Sequence, residues 1–182
     1  MIYSGTLYNT TFITGSMFTG KTSWLIETKT KYYNNKNSIL YRPNIDTRKL
    51  ETHKGIKYSA KPIKDLSSLG EAFSDKIKAV FIDEVQFLPD VLGYDIAIEQ
   101  LNLIQNIKPL FVAGLDYRFN KTPFPISEWL EKHVNNFTRL KTYCIECGKL
   151  SECYSRRKSP SDELIVIGGK DDYEPVCYKC MK

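Results

Sequence analysis

The chain has 182 residues, 42% of them hydrophobic and 13% aromatic, which is about one domain with enough apolar surface for a packed core and excludes a disordered or collagen-like chain. Its 26 Lys and Arg against 21 Asp and Glu give a formal net charge of +5, suited to phosphate-bearing ligands but short of the dense basic stripes of a dedicated nucleic-acid binder. The longest apolar runs, such as Leu110–Ala113 and residues 164–167, are far below the roughly 18–20 residues of a membrane span, and residues 1–14 lack the basic and apolar regions of a signal peptide. The expectation is a soluble, cytoplasmic protein with neither membrane nor nucleic acid among its partners.

In chain order, a first strand is predicted at Thr10–Thr14 and is followed by Gly15, Ser16, Met17, Phe18, Thr19, Gly20, Lys21 and Thr22. This run fits G-x-x-x-x-G-K-[ST], and a helical stretch over 21–33 follows it, as a phosphate loop requires. Its glycines let successive N–H groups face one anion, and the helix adds its positive end. Lys21 would reach the β- and γ-phosphates of ATP, and the Thr22 hydroxyl would ligate Mg²⁺.

Further strands are predicted at 38–41, Ala79–Ile82 and Leu110–Ala113, with helices over 66–76 and 91–105 between them. Strands alternating with helices predict an α/β fold: a mostly parallel sheet covered on both faces. Asp83 ends the third strand, at the carboxyl edge of the sheet, and should help hold the magnesium. Glu84 follows it, facing another way because side chains alternate at a strand end, and is the candidate general base toward an attacking hydroxyl.

After about Val134 the helix spacing stops, which places a boundary near Phe137, with a first unit over 1–136 and a second over 137–182. Such a short tail cannot bury a core of its own. It holds Cys144-x-x-Cys147 and Cys177-x-x-Cys180, with 29 residues between the pairs, and four thiolates make a closed, structural Zn²⁺ site. Cys153 is left over and reads as a small buried hydrophobe. His53 and His133 suggest no catalytic histidine.

Several motifs together resemble the type II thymidine kinases over nearly the whole chain. They are G-S-M-F-T-G-K-T at 15–22, F-I-D-E-V-Q-F at 81–87, V-A-G-L-D-Y-R-F at 112–119 followed by Pro123 and Phe124, and I-V-I-G-G-K-D-D-Y-E-P-V-C at 165–177. The resemblance implies a P-loop NTPase-like sheet with a small zinc-binding lasso domain, and transfer of the γ-phosphoryl group of ATP to the 5′-hydroxyl of thymidine, with deoxyuridine as a second acceptor. It gives Glu84 the role of base. Asp46, Arg48 and Gln86 join Gly15–Thr22 and Asp83 on the ATP side, and Arg48 would stabilise the transferring charge beside Lys21.

The resemblance builds the nucleoside side from Met17, Phe87, Leu115 and Phe119, with Ser155 and the backbone of Leu164, Ile165, Val166, Ile167 and Gly168 as the lasso over the base and Tyr173 against the sugar. Taken alone, Asp46 and Arg48 would read as a surface salt bridge and the aromatic residues as core. A homotetramer and feedback inhibition by dTTP are implied as well. Tyr117, Arg118 and Val85 depart from the family pattern at the pocket edge. Two other readings compete: a P-loop ATPase with a zinc ribbon acting on nucleic acid, and a nucleotide-binding scaffold without activity. Length opposes the first, because a helicase needs a second core domain, and the presence of Lys21, Thr22, Asp83 and Glu84 opposes the second.

Overall fold

The computed structural model describes residues 9–48, 57–159, 168–169 and 171–181. Six strands, β1 (Thr10–Thr14), β2 (Ser38–Pro43), β3 (Lys61–Ile63), β4 (Ala79–Ile82), β5 (Leu110–Ala113) and β6 (Asn136–Arg139), form one sheet in the order β3-β2-β4-β5-β1-β6. Every neighbouring pair is parallel. Four α-helices cover it, α1 (Lys21–Tyr32), α2 (Leu88–Leu92), α3 (Tyr94–Gln105) and α4 (Pro125–His133).

The central strands read as unbroken apolar runs because both of their faces are buried. Their side chains alternate between two layers. Val80, Ile82, Leu110 and Val112 pack with Leu101, Ile104, Ile126 and Leu130 on one face, whereas Phe81 and Ala113 pack with Leu25 of α1 on the other. Phe81 and Phe111 sit opposite each other in register and stack with ring centroids 4.8 Å apart, the fully buried Phe81 ring contributing about 2–3 kcal/mol by its burial and the half-buried Phe111 less.

Two predicted helices take other forms. Residues 66–76 contain a 3-10 helix, Leu66–Phe73, started by a capping box between Asp65 and Ser68; its serines and Gly70 are weak α-helix formers, and the last turn closes at Ser74. The stretch 91–105 is interrupted by Gly93 at φ 83°, ψ 151°, which ends α2 and begins α3. Across the expected boundary near Phe137, β6 completes the main sheet against β1.

Beyond it the chain is held by short antiparallel pairings, β7 (Thr142–Tyr143) with β8 (Leu150–Ser151) and β9 (Cys153–Arg157) with β10 (Tyr173–Cys177). Because the six strands of the main sheet are parallel, the residues that follow β1, β2, β4 and β5 emerge at one edge. A crevice at such an edge is where open α/β sheets place their ligands.

Candidate active site

The phosphate loop leaves β1 through Gly15, whose φ of 137° is closed to other residues and whose missing Cβ would stand 2.9 Å from the Leu140 carbonyl oxygen. Phe18 at φ 68° and Gly20 at φ 88° complete the turn into α1. Lys21 reaches back inside the loop and donates from Nζ to the carbonyl oxygens of Ser16 (2.8 Å) and Gly15 (3.1 Å). Burial lowers its pKa, opposed by the carboxylates of Glu84, Asp116 and Asp83.

Thr22 donates its hydroxyl to the Asp83 carboxylate at 3.0 and 3.2 Å, and Tyr58 donates to it at 3.2 Å. Burial, and then the charge of Glu84, push the Asp83 carboxyl up to about 7, against the opposing pull of Arg42 and of the hydroxyls of Thr22 and Tyr58. A buried carboxylate short of positive charge, with a hydroxyl oxygen beside it, is a donor set that fits a hard divalent cation such as Mg²⁺.

Glu84 steps out of the strand direction in a left-handed backbone conformation, φ 54°, ψ 43°. Its two carboxylate oxygens have separate partners, Arg48 Nη2 at 2.7 Å on one and Gln86 Nε2 at 2.6 Å on the other. Arg48 is gripped in turn by Asp46, with Nε at 2.9 Å and Nη2 at 2.6 Å from the two oxygens, and its Nη1 donates to the Gly168 carbonyl at 3.3 Å. The Asp46 side chain has 0% exposure and that of Arg48 32%, so this pair is not the exposed surface salt bridge it would be taken for alone.

Gln86, expected on the ATP side, accepts the Leu115 N–H at 3.0 Å and so links Glu84 to the loop after β5. That contact leaves no space at Gly114, where a Cβ would fall 2.6 Å from Gln86 Oε1.

Of the expected nucleoside wall, Met17, Phe87, Ser155 and Tyr173 are buried. Ser155 on β9 accepts the Met17 N–H of the phosphate loop at 2.8 Å. Leu164, Ile165, Val166 and Ile167 lie outside the described residues.

Side chains of the loop after β5 and of the β9–β10 hairpin pack beside these residues. The Arg157 guanidinium lies 3.8 Å above the Phe119 ring and donates to the Tyr173 hydroxyl at 3.4 Å, tying the loop after β5 to the β9–β10 hairpin. Phe124 and Arg118, the latter 4.7 Å above that ring, help to line a cavity of about 290 Å³ with Gln86, Tyr94 and Ile126. Arg118, one of the departures from the family pattern, therefore forms cavity wall.

The four sulfurs of Cys144, Cys147, Cys177 and Cys180 all lie within 4.8 Å of one another. The Cys177 N–H donates to the Cys144 sulfur at 3.3 Å. Burial raises the Cys144 thiol, yet the N–H groups of Cys177, Cys147 and Glu146 outweigh it and bring the thiol down to about 6. Four sulfurs gathered in this space fit a structural Zn²⁺. Cys153 stands apart, buried, with its sulfur 3.6–3.7 Å from the Ser151 and Thr142 carbonyl oxygens.

A thymidine kinase of Pseudothermotoga lettingae is 31% identical over 175 residues, covering 93% of this chain and 92% of the relative. One of Bacteroides thetaiotaomicron is 32% identical over 173 residues, covering 92% and 84%. Among solved structures, a Pif1 helicase from Bacteroides in complex with ADP-AlF3 and single-stranded DNA aligns at 14% identity with a TM-score of 0.39, over 78% of this chain. The chain spans 41% of that helicase structure, and so loose a likeness carries no argument. The family model described as thymidine kinase matches residues 8–181, and with these relatives it establishes that the chain belongs to the thymidine kinase family, whose members are kinases that draw on ATP.

Proposed function

We propose that this protein transfers the γ-phosphoryl group of ATP to the 5′-hydroxyl of thymidine, and of deoxyuridine, giving the nucleoside 5′-monophosphate and ADP. The observation that carries the reading is the Glu84 carboxylate held between Arg48 and Gln86, on the same sheet edge as the phosphate loop. Glu84 takes the proton of the 5′-hydroxyl as its oxygen bonds to the γ-phosphorus and the bond to ADP breaks. Lys21 leaves its carbonyl partners to meet the β- and γ-phosphates, and Arg48 offers its guanidinium to the transferring group. Thr22 and Asp83 would hold Mg²⁺, which when bound neutralises phosphate charge.

The base is enclosed by Met17, Phe87, Leu115 and Phe119, with Tyr173 against the sugar, and apolar walls suit a flat pyrimidine. Zn²⁺ on the four cysteines fixes the hairpin that brings Ser155 and Gly168 to this pocket. The reading keeps an ATP-binding unit and a zinc-bound unit, and its kinship with the thymidine kinase family extends it to a homotetramer, feedback inhibition by dTTP and a cytoplasmic setting. A phosphoryl-transfer assay with ATP, Mg²⁺ and five nucleosides, on protein of counted zinc content, tests it. Turnover on thymidine and deoxyuridine alone is the expected result. DNA-stimulated ATP hydrolysis without nucleoside phosphorylation would overturn it.

A further inference from the structure

Arg42 lies near the end of β2 and is 6% exposed. A buried cation is costly unless its partners are well placed, and among the described residues the hydrogen-bond partners of the Arg42 side chain lie on one loop. Its Nε donates to Asp46 Oδ2 at 3.2 Å, its Nη2 pairs with the same oxygen, and its Nη1 donates to the Arg48 carbonyl oxygen at 3.2 Å. Arg42 thus holds the Arg48 backbone directly and the Arg48 side chain through Asp46, which grips that side chain with both oxygens. With both ends of Arg48 fixed, its Nη2 reaches Glu84 at 2.7 Å.

We propose that Arg42 is a positioning residue for phosphoryl transfer: through Asp46 and the Arg48 backbone it sets the guanidinium of Arg48 against Glu84. The inference rests on the roles given above to Arg48 and Glu84. Its planar fork matters because it spans two acceptors at once, and a lysine in its place has one nitrogen to offer them. Misplacing a charged group by about 1 Å costs up to about 100-fold in rate without removing any substrate contact.

The test is a double-substitution cycle on the full chain: Arg42→Lys, Arg48→Ala and the pair, with kcat, both KM values, thermal midpoint and zinc content measured for each. Arg42→Lys is expected to lower kcat by about 10-fold or more while the KM for thymidine stays within about twofold, and to cost less than about twofold further once Arg48 is Ala. The full loss recurring in the Arg48→Ala background would overturn the proposal while leaving Arg48 its role. Wild-type kcat in Arg48→Ala would overturn the reading beneath it, and the proposal with it. If Arg42→Lys loses activity only in proportion to unfolded protein, Arg42 is a stability residue and the proposal fails.

Discussion

A carboxylate that takes a proton from a sugar hydroxyl must be aimed as well as ionised, and Glu84 is aimed from three sides. Its backbone is left-handed at φ 54°, a conformation a bulky residue adopts only when its surroundings enforce it. Arg48 and Gln86 each fix one carboxylate oxygen. Glu84→Gln keeps the size and one hydrogen bond but cannot accept the proton, so kcat is expected to fall by about 10²- to 10⁴-fold with both KM values within a few-fold. Steady-state kinetics checks this, and near-normal turnover would remove Glu84 from the role. The acid pair was legible in the sequence because it ends an apolar strand. Arg42 and Tyr58 were not, since neither sits in a local pattern: Arg42 comes near Asp83 only when β2 pairs with β4, and Tyr58 reaches it from the segment before β3.

At the scale of elements, the β9–β10 hairpin carries one wall of the proposed nucleoside pocket on very little apolar packing among the described residues. Its buried cluster is Cys144, Cys153, Val176 and Cys177, so without metal the hairpin has few contacts to offset the entropy of ordering it. Cys177 is the last residue of β10 and pairs with Cys153. Cys177→Ser is expected to release zinc and raise the thymidine KM about 10-fold or more, as loss of a structural ligand frees the loop ends. Full zinc content with an unchanged KM would sink the idea that metal holds this wall. The cysteine spacing announced the cluster of four sulfurs, and β1, β4 and β5 matched their apolar runs residue for residue. The short edge strand β3, with Pro62 at its centre, has no run long enough to signal itself and forms because β2 offers it a parallel partner.

For the whole molecule, the buried charge network makes stability depend on pH. Asp46 is penalised by burial, but hydrogen bonds and charge from Arg48 and Arg42 outweigh this and hold its carboxyl below the usual range. The unfolded chain therefore binds the proton first as pH falls. The stabilisation is complete above the unfolded value of about 3.9 and is lost as pH drops through the lower folded value. Asp46→Asn is expected to cost about 3 kcal/mol at pH 7, because it leaves two arginines short of a partner, and to flatten the acid limb of stability. Urea unfolding from pH 7 down to pH 3 checks both, and parallel pH curves for the two proteins would contradict the account. Strand order was the least legible feature, since β1 lies between β5 and β6 through contacts far apart in the chain.

Leu140 sits where the two halves of the molecule meet. Its N–H donates to the Thr14 carbonyl at 2.8 Å, and its own carbonyl oxygen fills the space a side chain on Gly15 would need. Four residues later the same chain supplies Cys144, the first of the four clustered cysteines. The cysteine centre and the phosphate cradle are thus two ends of one short covalent strut. A protein stripped of zinc should grip ATP less firmly as well as thymidine, and such a double defect would be a mechanical symptom of a slackened strut with Lys21 itself intact.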